Sequence, residues 1–483
     1  MEIKNLNPEL MWRYFDQITQ VPRPSKKEEK IVRFLLDFAE QNGLEAKKDA
    51  ANNVLIRKPA TTGKENLKTV ILQSHVDMVC EKNSDTVFNF ETDPIQTRIE
   101  DGWVKATGTT LGADDGIGVA AALAILASKD IEHGPLACLF TTDEETGLTG
   151  AYALQKEFLA GDILINLDSE EWGEFCIGCA GGKNTAGTFT YTKTSAPTGY
   201  FWFEVQVGGL NGGHSGSDIH VGLGNANKIL TRYLWGLLQE CPLVIASIDG
   251  GNLHNAIARE AKAIAGVPFE FKEQTIVLLN QLQAQVSAEL AKVDPNVQLT
   301  IQSVETPQDS IDFETGKTLI HTLYALPHGV FGMSHEIQGL VETSTNLASV
   351  KMKDGCKIVI TTSQRSSTDS KKTDIVNKVT SIFGLAGAEV VSSEGYPGWK
   401  PNPDSTILKL SKTIYEKLFG EQPKVIAIHA GLECGLFFEK NPGLDMISCG
   451  PTILGAHSPD ERIEIETVEK WWKFLVELLA VID

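Results

Sequence analysis

Two glutamates stand side by side at Glu144–Glu145, where the apolar run Leu136-Ala137-Cys138-Leu139-Phe140 gives way to Thr141-Thr142-Asp143. They belong with a scattered set of acids and imidazoles: His75-Val76-Asp77, Asp114-Asp115, Asp168 and His457. Most of these lie just past a short hydrophobic run of the kind that forms a buried strand. Carboxylates and imidazoles gathered at one edge of a sheet are what a site for two divalent cations requires. Zn2+ and Mn2+ accept imidazole nitrogen and carboxylate oxygen, at ~2.0–2.2 Å for zinc. In hydrolytic centres two such ions stand ~3.5–4 Å apart, close enough for one carboxylate to bridge them. Asp114 suits the bridge, because the helix that follows fixes its direction. His75 then serves one ion and His457 the other. Asp77, two residues from His75, suits a carboxylate that orients the imidazole.

Charge separates the roles of the two glutamates. Asp114, Glu145 and Asp168, together with a bridging hydroxide, neutralise two doubly charged ions and avoid an uncompensated buried charge. Glu144 is then surplus to coordination. A carboxylate beside an activated water is suited to general base work, and can pass the proton on to a leaving amine.

The elements that position these residues follow from periodicity. Asn7-Pro8 opens a helix with Met11, Trp12, Phe15 and Ile18 on one face, and Ser25-Lys26-Lys27-Glu28 has the form of a capping box before a second helix. Val70–Gln73, Leu136–Phe140 and Ile163–Leu167 are predicted strands, and residues 116–128 a helix. Strands alternating with helices predict an α/β sheet with largely parallel strands, whose ligands bind beyond the carboxyl ends. After Gly181-Gly182 the pattern changes. Alternation at Phe201, Phe203, Val205 and Val207 predicts antiparallel strands, and helices are expected over 225–239, 275–292 and 373–383. The turn-rich Gly395-Tyr396-Pro397-Gly398-Trp399 marks the return to α/β texture. The expected organisation is a catalytic domain at 1–182 and 398–483, interrupted by an inserted α+β domain at 183–397.

The motifs themselves resemble a known family. His75-Val76-Asp77-Met78-Val79, Gly108 to Gly116, Glu144-Glu145-Thr146-Gly147, Asn166-Leu167-Asp168-Ser169-Glu170-Glu171, Gly212-Gly213-His214-Ser215-Gly216, His429 to Gly435 and Gly455 to Glu461 carry the resemblance over essentially the whole chain. It is to the bacterial aminoacyl-histidine dipeptidases of the peptidase D, or cytosol non-specific dipeptidase, type. These are di-zinc exopeptidases related to peptidase T and carboxypeptidase G.

The resemblance implies a phosphorylase/hydrolase-like α/β catalytic domain with a mixed, largely parallel sheet, and an insert that serves as a lid closing on substrate. It implies that His75 and Asp168 bind one metal and Glu145 and His457 the other, with Asp114 bridging. Asp77 and Glu144 are the implied catalytic residues, Asp77 orienting His75 and Glu144 acting as base. The bond Asp114–Asp115 is an implied cis peptide. His214 is the implied oxyanion-stabilising lid histidine, and Asn255 a lid asparagine at the substrate. Arg365 is implied to grip the C-terminal carboxylate with its planar fork, with the Gly431 backbone near the same group. Aspartate rather than glutamate at position 168 implies a substrate with a free amine.

The reaction expected is hydrolysis of dipeptides with a free N-terminus, including β-alanyl-histidine types. The expected cofactors are two divalent ions, Zn2+ first, with Mn2+ or Co2+ also compatible with the ligand set. An N-acyl amino acid amidohydrolase and a non-catalytic peptide-binding protein are the alternatives.

Bulk properties narrow the partners. The chain has 483 residues, 42% apolar and 22% charged, with a net charge of −20. That balance, with no dense basic stripe, argues against nucleic acid. The start Met1-Glu2-Ile3-Lys4 has no signal-peptide hydrophobic region, and the longest apolar run, Val119 to Ala127, falls far short of the ~20 residues that span a bilayer. The expectation is a soluble cytoplasmic protein with no membrane partner, a homodimer by analogy. The eight cysteines are dispersed, unlike a disulfide scaffold.

Overall fold

The computed structural model describes residues 2–483. The chain divides into two compact units: Met1–Gly178 with Pro401–Ala427 and Leu432–Asp483, and Cys179–Lys400 with the tetrapeptide Ile428–Gly431.

The first unit is built on an eight-stranded sheet. Across it run Glu45–Lys48, Val54–Lys58, Leu136–Thr141, Val70–His75, Ile163–Asn166, Asp445–Ser448, Glu174–Cys179 and Lys424–Ile428. The four strands from Leu136–Thr141 to Asp445–Ser448 are mutually parallel, and the flanking pairs with printed register are antiparallel. Val70–His75 and Leu136–Thr141 are buried on both faces, which is why each is dominated by a continuous apolar run. The helix Ala113–Ala127 is apolar all round and buried along almost its whole length, packed on the helix Glu9–Thr19 and the strand Val70–His75. A separate small sheet joins Thr97–Glu100, Trp103–Ala106, Arg462–Glu464 and Ile453–Leu454. It brings the loop that carries His457 beside the segment leading to Asp114.

The second unit is built on a nine-stranded sheet whose paired strands are all antiparallel. Its order is Gln298–Ser303, Tyr200–Gly208, Ala261–Pro268, Val244–Gly250, Val341–Lys353, Lys357–Ser366, Gly181–Thr190 and Glu389–Ser392, with Gly329–Met333 added on Val341–Lys353. Two further two-stranded ladders pair Lys193–Ser195 with Asp309–Ile311 and Gly213–His214 with Ala256–Ile257. The helices Ala226–Glu240, Lys272–Glu289, Phe313–Ala325 and Asp369–Leu385 contribute to its core. Asn225 caps the first of these, accepting from the Lys228 amide at 3.2 Å.

One local expectation changes. Ser25 does not cap the second helix, which spans Glu29–Gln41; its hydroxyl donates to Asp77 at 2.7 Å. Glu28 accepts from the amides of Lys26 and Asp143. The helix Phe313–Ala325 and the strand Val341–Lys353 were not anticipated. Among the described residues no helix is long and apolar enough to cross a membrane.

Candidate di-metal centre

In the first unit each candidate ligand sits where a regular element ends or begins. His75 is the last residue of its strand, and Asp168 stands two residues past Ile163–Asn166. Glu144 and Glu145 open the short helix Glu144–Gly147 three residues after Leu136–Thr141. Asp114 lies in the first turn of its helix with extended rather than helical ψ, and the Asp114–Asp115 bond is cis. His457 occupies the loop between two strands of the small sheet, at φ 63°.

These side chains converge on Asp114. His75 Nε2 lies 3.0 Å from Asp114 Oδ1 and 3.4 Å from Asp168 Oδ1. On the other side His457 Nε2 lies 3.2 Å from Asp114 Oδ2 and 3.1 Å from Glu145 Oε2. One carboxylate thus presents its two oxygens to two separate histidine–carboxylate pairs. Ligand atoms of His75, Asp114 and Glu145 fall within 4.8 Å of one another.

The electrostatics fit cations. Glu145 Oε1 is buried with no hydrogen-bond partner. Burial lifts Glu144 to about 8 and Asp168 well above the usual carboxylate range. Hydrogen bonds to Asp114 and Glu145 lift His457 to about 11. Several buried carboxylates set against two imidazoles form a site that divalent cations would neutralise.

Asp77 is the hinge of the surrounding support. Its carboxylate lies 3.4 Å from His75 Nδ1 and accepts from the Glu144 amide at 3.0 Å and the Glu145 amide at 3.3 Å. Burial would raise this acid, but its hydrogen bonds, led by His75, hold it at about 2. Asp77 therefore stands against the imidazole and fixes the backbone of both glutamates. Asp77, Glu28 and Asp143 form a second acidic cluster, yet each already accepts from amides or hydroxyls of the chain.

Three further supporting residues were not singled out from sequence. Glu461 accepts from four consecutive amides, Leu111 to Asp114, at 2.6–3.3 Å. Arg23 donates to the carbonyls of Val76 and Asp77 at 3.0 and 2.9 Å, and also to Gly112. Together they tie the His75–Asp77 segment to the Asp114 segment. Gly112 is held at φ +68°, and a Cβ there would stand 2.5 Å from the Arg23 guanidinium. Glu433, wholly buried, accepts from Gln73 Nε2 at 2.7 Å and Thr141 Oγ1 at 2.8 Å, bracing two of the site's strands. An acid directly ahead of the apolar run Cys434-Gly435-Leu436-Phe437-Phe438 was the available signal for Glu433.

The second unit gathers donors. Arg365, buried on Lys357–Ser366, donates from Nη1 to the Tyr396 hydroxyl at 2.7 Å, and its Nη2 lies 3.5 Å from His214 Nε2. Its Nε is buried with no hydrogen-bond partner, and no carboxylate among the described residues forms an ion pair with it. His214 Nδ1 accepts from the amides of Gly216 and Ser217, at 3.3 and 3.2 Å, which leaves the proton on Nε2. His429, within 2.7 Å of Ser344 Oγ, is pushed down to about 3 by burial and then by the charge of Arg365. Asn255 accepts from Ser215 through its carbonyl, and lines with His214 a cavity of about 690 Å³. That volume accommodates a small peptide. Gly431 lies against the Tyr396 ring.

The sequence matches the profile of Peptidase family M20/M25/M40 over residues 71–481. The chain belongs to this family. Among its relatives is the cytosol non-specific dipeptidase of Escherichia coli strain K12, 44% identical over 481 residues, 100% of this chain and 99% of that protein. The crystal structure of an aminoacylhistidine dipeptidase from Vibrio alginolyticus superposes with a TM-score of 0.94 at 44% identity, covering 100% of this chain and 98% of that one. The aminopeptidase PepT of Bacillus cereus shares the fold, with a TM-score of 0.56 at 17% identity and 98% of each chain covered. This membership makes the chain a peptidase of the metal-dependent type.

Proposed function

We propose that the chain is a dipeptidase that cleaves dipeptides with a free amino terminus, including those ending in histidine. The observation that carries the reading is the division of Asp114, one oxygen toward His75 and Asp168, the other toward His457 and Glu145. In this reading His75 and Asp168 would hold one divalent ion, Glu145 and His457 the other, and Asp114 would serve both. Zn2+ is the proposed native ion. When bound, the ions would polarise the scissile carbonyl and acidify water.

The chain's own residues supply the rest. Glu144, whose amide is fixed by Asp77, takes a proton from water and returns it to the leaving amine. Nε2–H of His214 donates to the developing oxyanion. Arg365, buried without an anionic partner, receives the substrate's C-terminal carboxylate, because a buried guanidinium favours a bidentate acid. Asn255, which lines a cavity with His214, contacts the substrate there. Asp168 accepts from the substrate ammonium while binding metal. One relative is a cytosol dipeptidase by name, and the same location is proposed here, with the insert serving as a lid.

Metal content measured alongside turnover of dipeptides, tripeptides and N-acetylated dipeptides tests the reading. Two ions per chain and a strong preference for unblocked dipeptides are expected. Equal turnover of the N-acetylated substrates would replace it with an amidohydrolase acting on N-acyl amino acids.

A further inference from the structure

Tyr396 forms an isolated antiparallel bridge with Gly182 and is held from several sides. Its amide donates to the Gly182 carbonyl at 2.8 Å, and its own carbonyl accepts from the Gly182 amide at 3.0 Å and from Lys372 Nζ at 2.8 Å. The ring fills space that two glycines leave open. A Cβ on Gly182 would lie 2.5 Å from the phenol carbon and oxygen, and one on Gly431 would lie 2.7 Å from the ring edge. Gly182 is also the sheet partner of Arg365. Backbone pairing and ring packing therefore fix the hydroxyl beside the guanidinium.

The direction of the hydrogen bond between them is decided by chemistry. Arginine has no acceptor, so Arg365 Nη1 must donate and the phenol oxygen must accept. The phenolic hydrogen is thereby left for another group. Burial raises the phenol above its ordinary range, against the charge of Arg365, so that hydrogen is retained at neutral pH. Arg365 contributes donors without an ion-pair partner at the same spot. A cation and a neutral O–H that meet with no acceptor between them match an anionic oxygen.

We infer that Tyr396 is a specificity-determining residue whose hydroxyl donates to the C-terminal carboxylate of the substrate, beside Arg365. The inference rests on the dipeptidase reading above and adds a second donor to its carboxylate site. Arginine alone offers charge. The tyrosine adds a directed hydrogen bond that a neutral amide end would use less well.

The test uses the full-length, metal-loaded enzyme and compares alanyl-alanine with its C-terminal amide. Tyr396→Phe keeps the ring between the two glycines, and its thermal midpoint reports folding. The ratio of kcat/KM for the acid over the amide should fall about ten-fold or more, the worth of a hydrogen bond to a charged group, mainly through KM for the acid. A purely structural role would lower both substrates together and leave the ratio unchanged, which would overturn the inference. In an Arg365→Met background the Tyr396→Phe change should still lower the ratio. No further change there would mean that the tyrosine acts only by holding Arg365, and would overturn direct donation. A wild-type enzyme that cleaves dipeptides without preferring the acid would instead remove the carboxylate site itself. One that cleaves no dipeptide would remove the proposed function, and the inference with it.

Discussion

Around Asp114 the first unit buries acceptors in excess of cations, whereas around Arg365 the second unit buries donors in excess of anions. In the first, Glu144 and Asp168 are pushed toward protonation and Glu145 Oε1 has no partner. In the second, Arg365 Nε has no partner, and His429 and His214 are pushed away from protonation, first by burial and then by the arginine's charge. Buried polar groups are normally satisfied within the fold. These two opposite deficits are what the proposed reading expects, cations for one cluster and an anion for the other.

Chelation should break the comparison most completely. Removing divalent ions is expected to abolish hydrolysis and lower the thermal midpoint, because binding to the native state alone is a stabilising term. Restoring Zn2+ should restore both, as followed by calorimetry and turnover. Next in size is Glu144→Ala, which should cost about 10²–10⁴-fold in kcat while two ions per chain remain by elemental analysis. A variant with unchanged turnover would refute the base assignment.

Arg365→Met acts on the other cluster and should raise KM for dipeptides by about 10–100-fold, as expected when a charged hydrogen-bonding partner is lost, with metal content unaltered. Loss of metal in that variant would show the two deficits to be one. The smallest effect is expected from Ser25→Ala. It removes one neutral donor from Asp77 and should lower stability by about 1 kcal/mol and metal affinity less than ten-fold, measured by denaturation and competition with a chelator.

Legibility in the sequence followed the source of each element's stability. Val70–His75, Leu136–Thr141 and Ile163–Asn166 are buried parallel strands, so their apolar runs announce them, and acids just past such runs stand out. The strand Val341–Lys353 hides because its buried positions include Thr343, Ser344, Thr345 and Asn346, which carry no hydrophobic period. Ser25 matched a capping box locally, but its hydroxyl is claimed by Asp77, 52 residues away. Tyr396 sits in a glycine- and proline-rich segment whose composition signals only a boundary. Its partners Gly182, Arg365 and Gly431 come from three separate stretches of chain. The acids and imidazoles at strand ends were visible, as was Asp77, two residues from His75; Arg23, Glu461 and Glu433 were not, since they hold across sequence distance.

The assignment of Ile428–Gly431 to the second unit has a consequence for how such genes can exchange parts. A single recombined segment covering residues 179–400 would carry Ser344 and Tyr396 from one ancestor, but would leave His429 and Gly431 from the other. The His429–Ser344 contact and the fit of the Tyr396 ring against Gly431 would then join strangers. The four residues should accordingly vary together, and a lineage with a larger residue at 431 should also have given up the ring at 396.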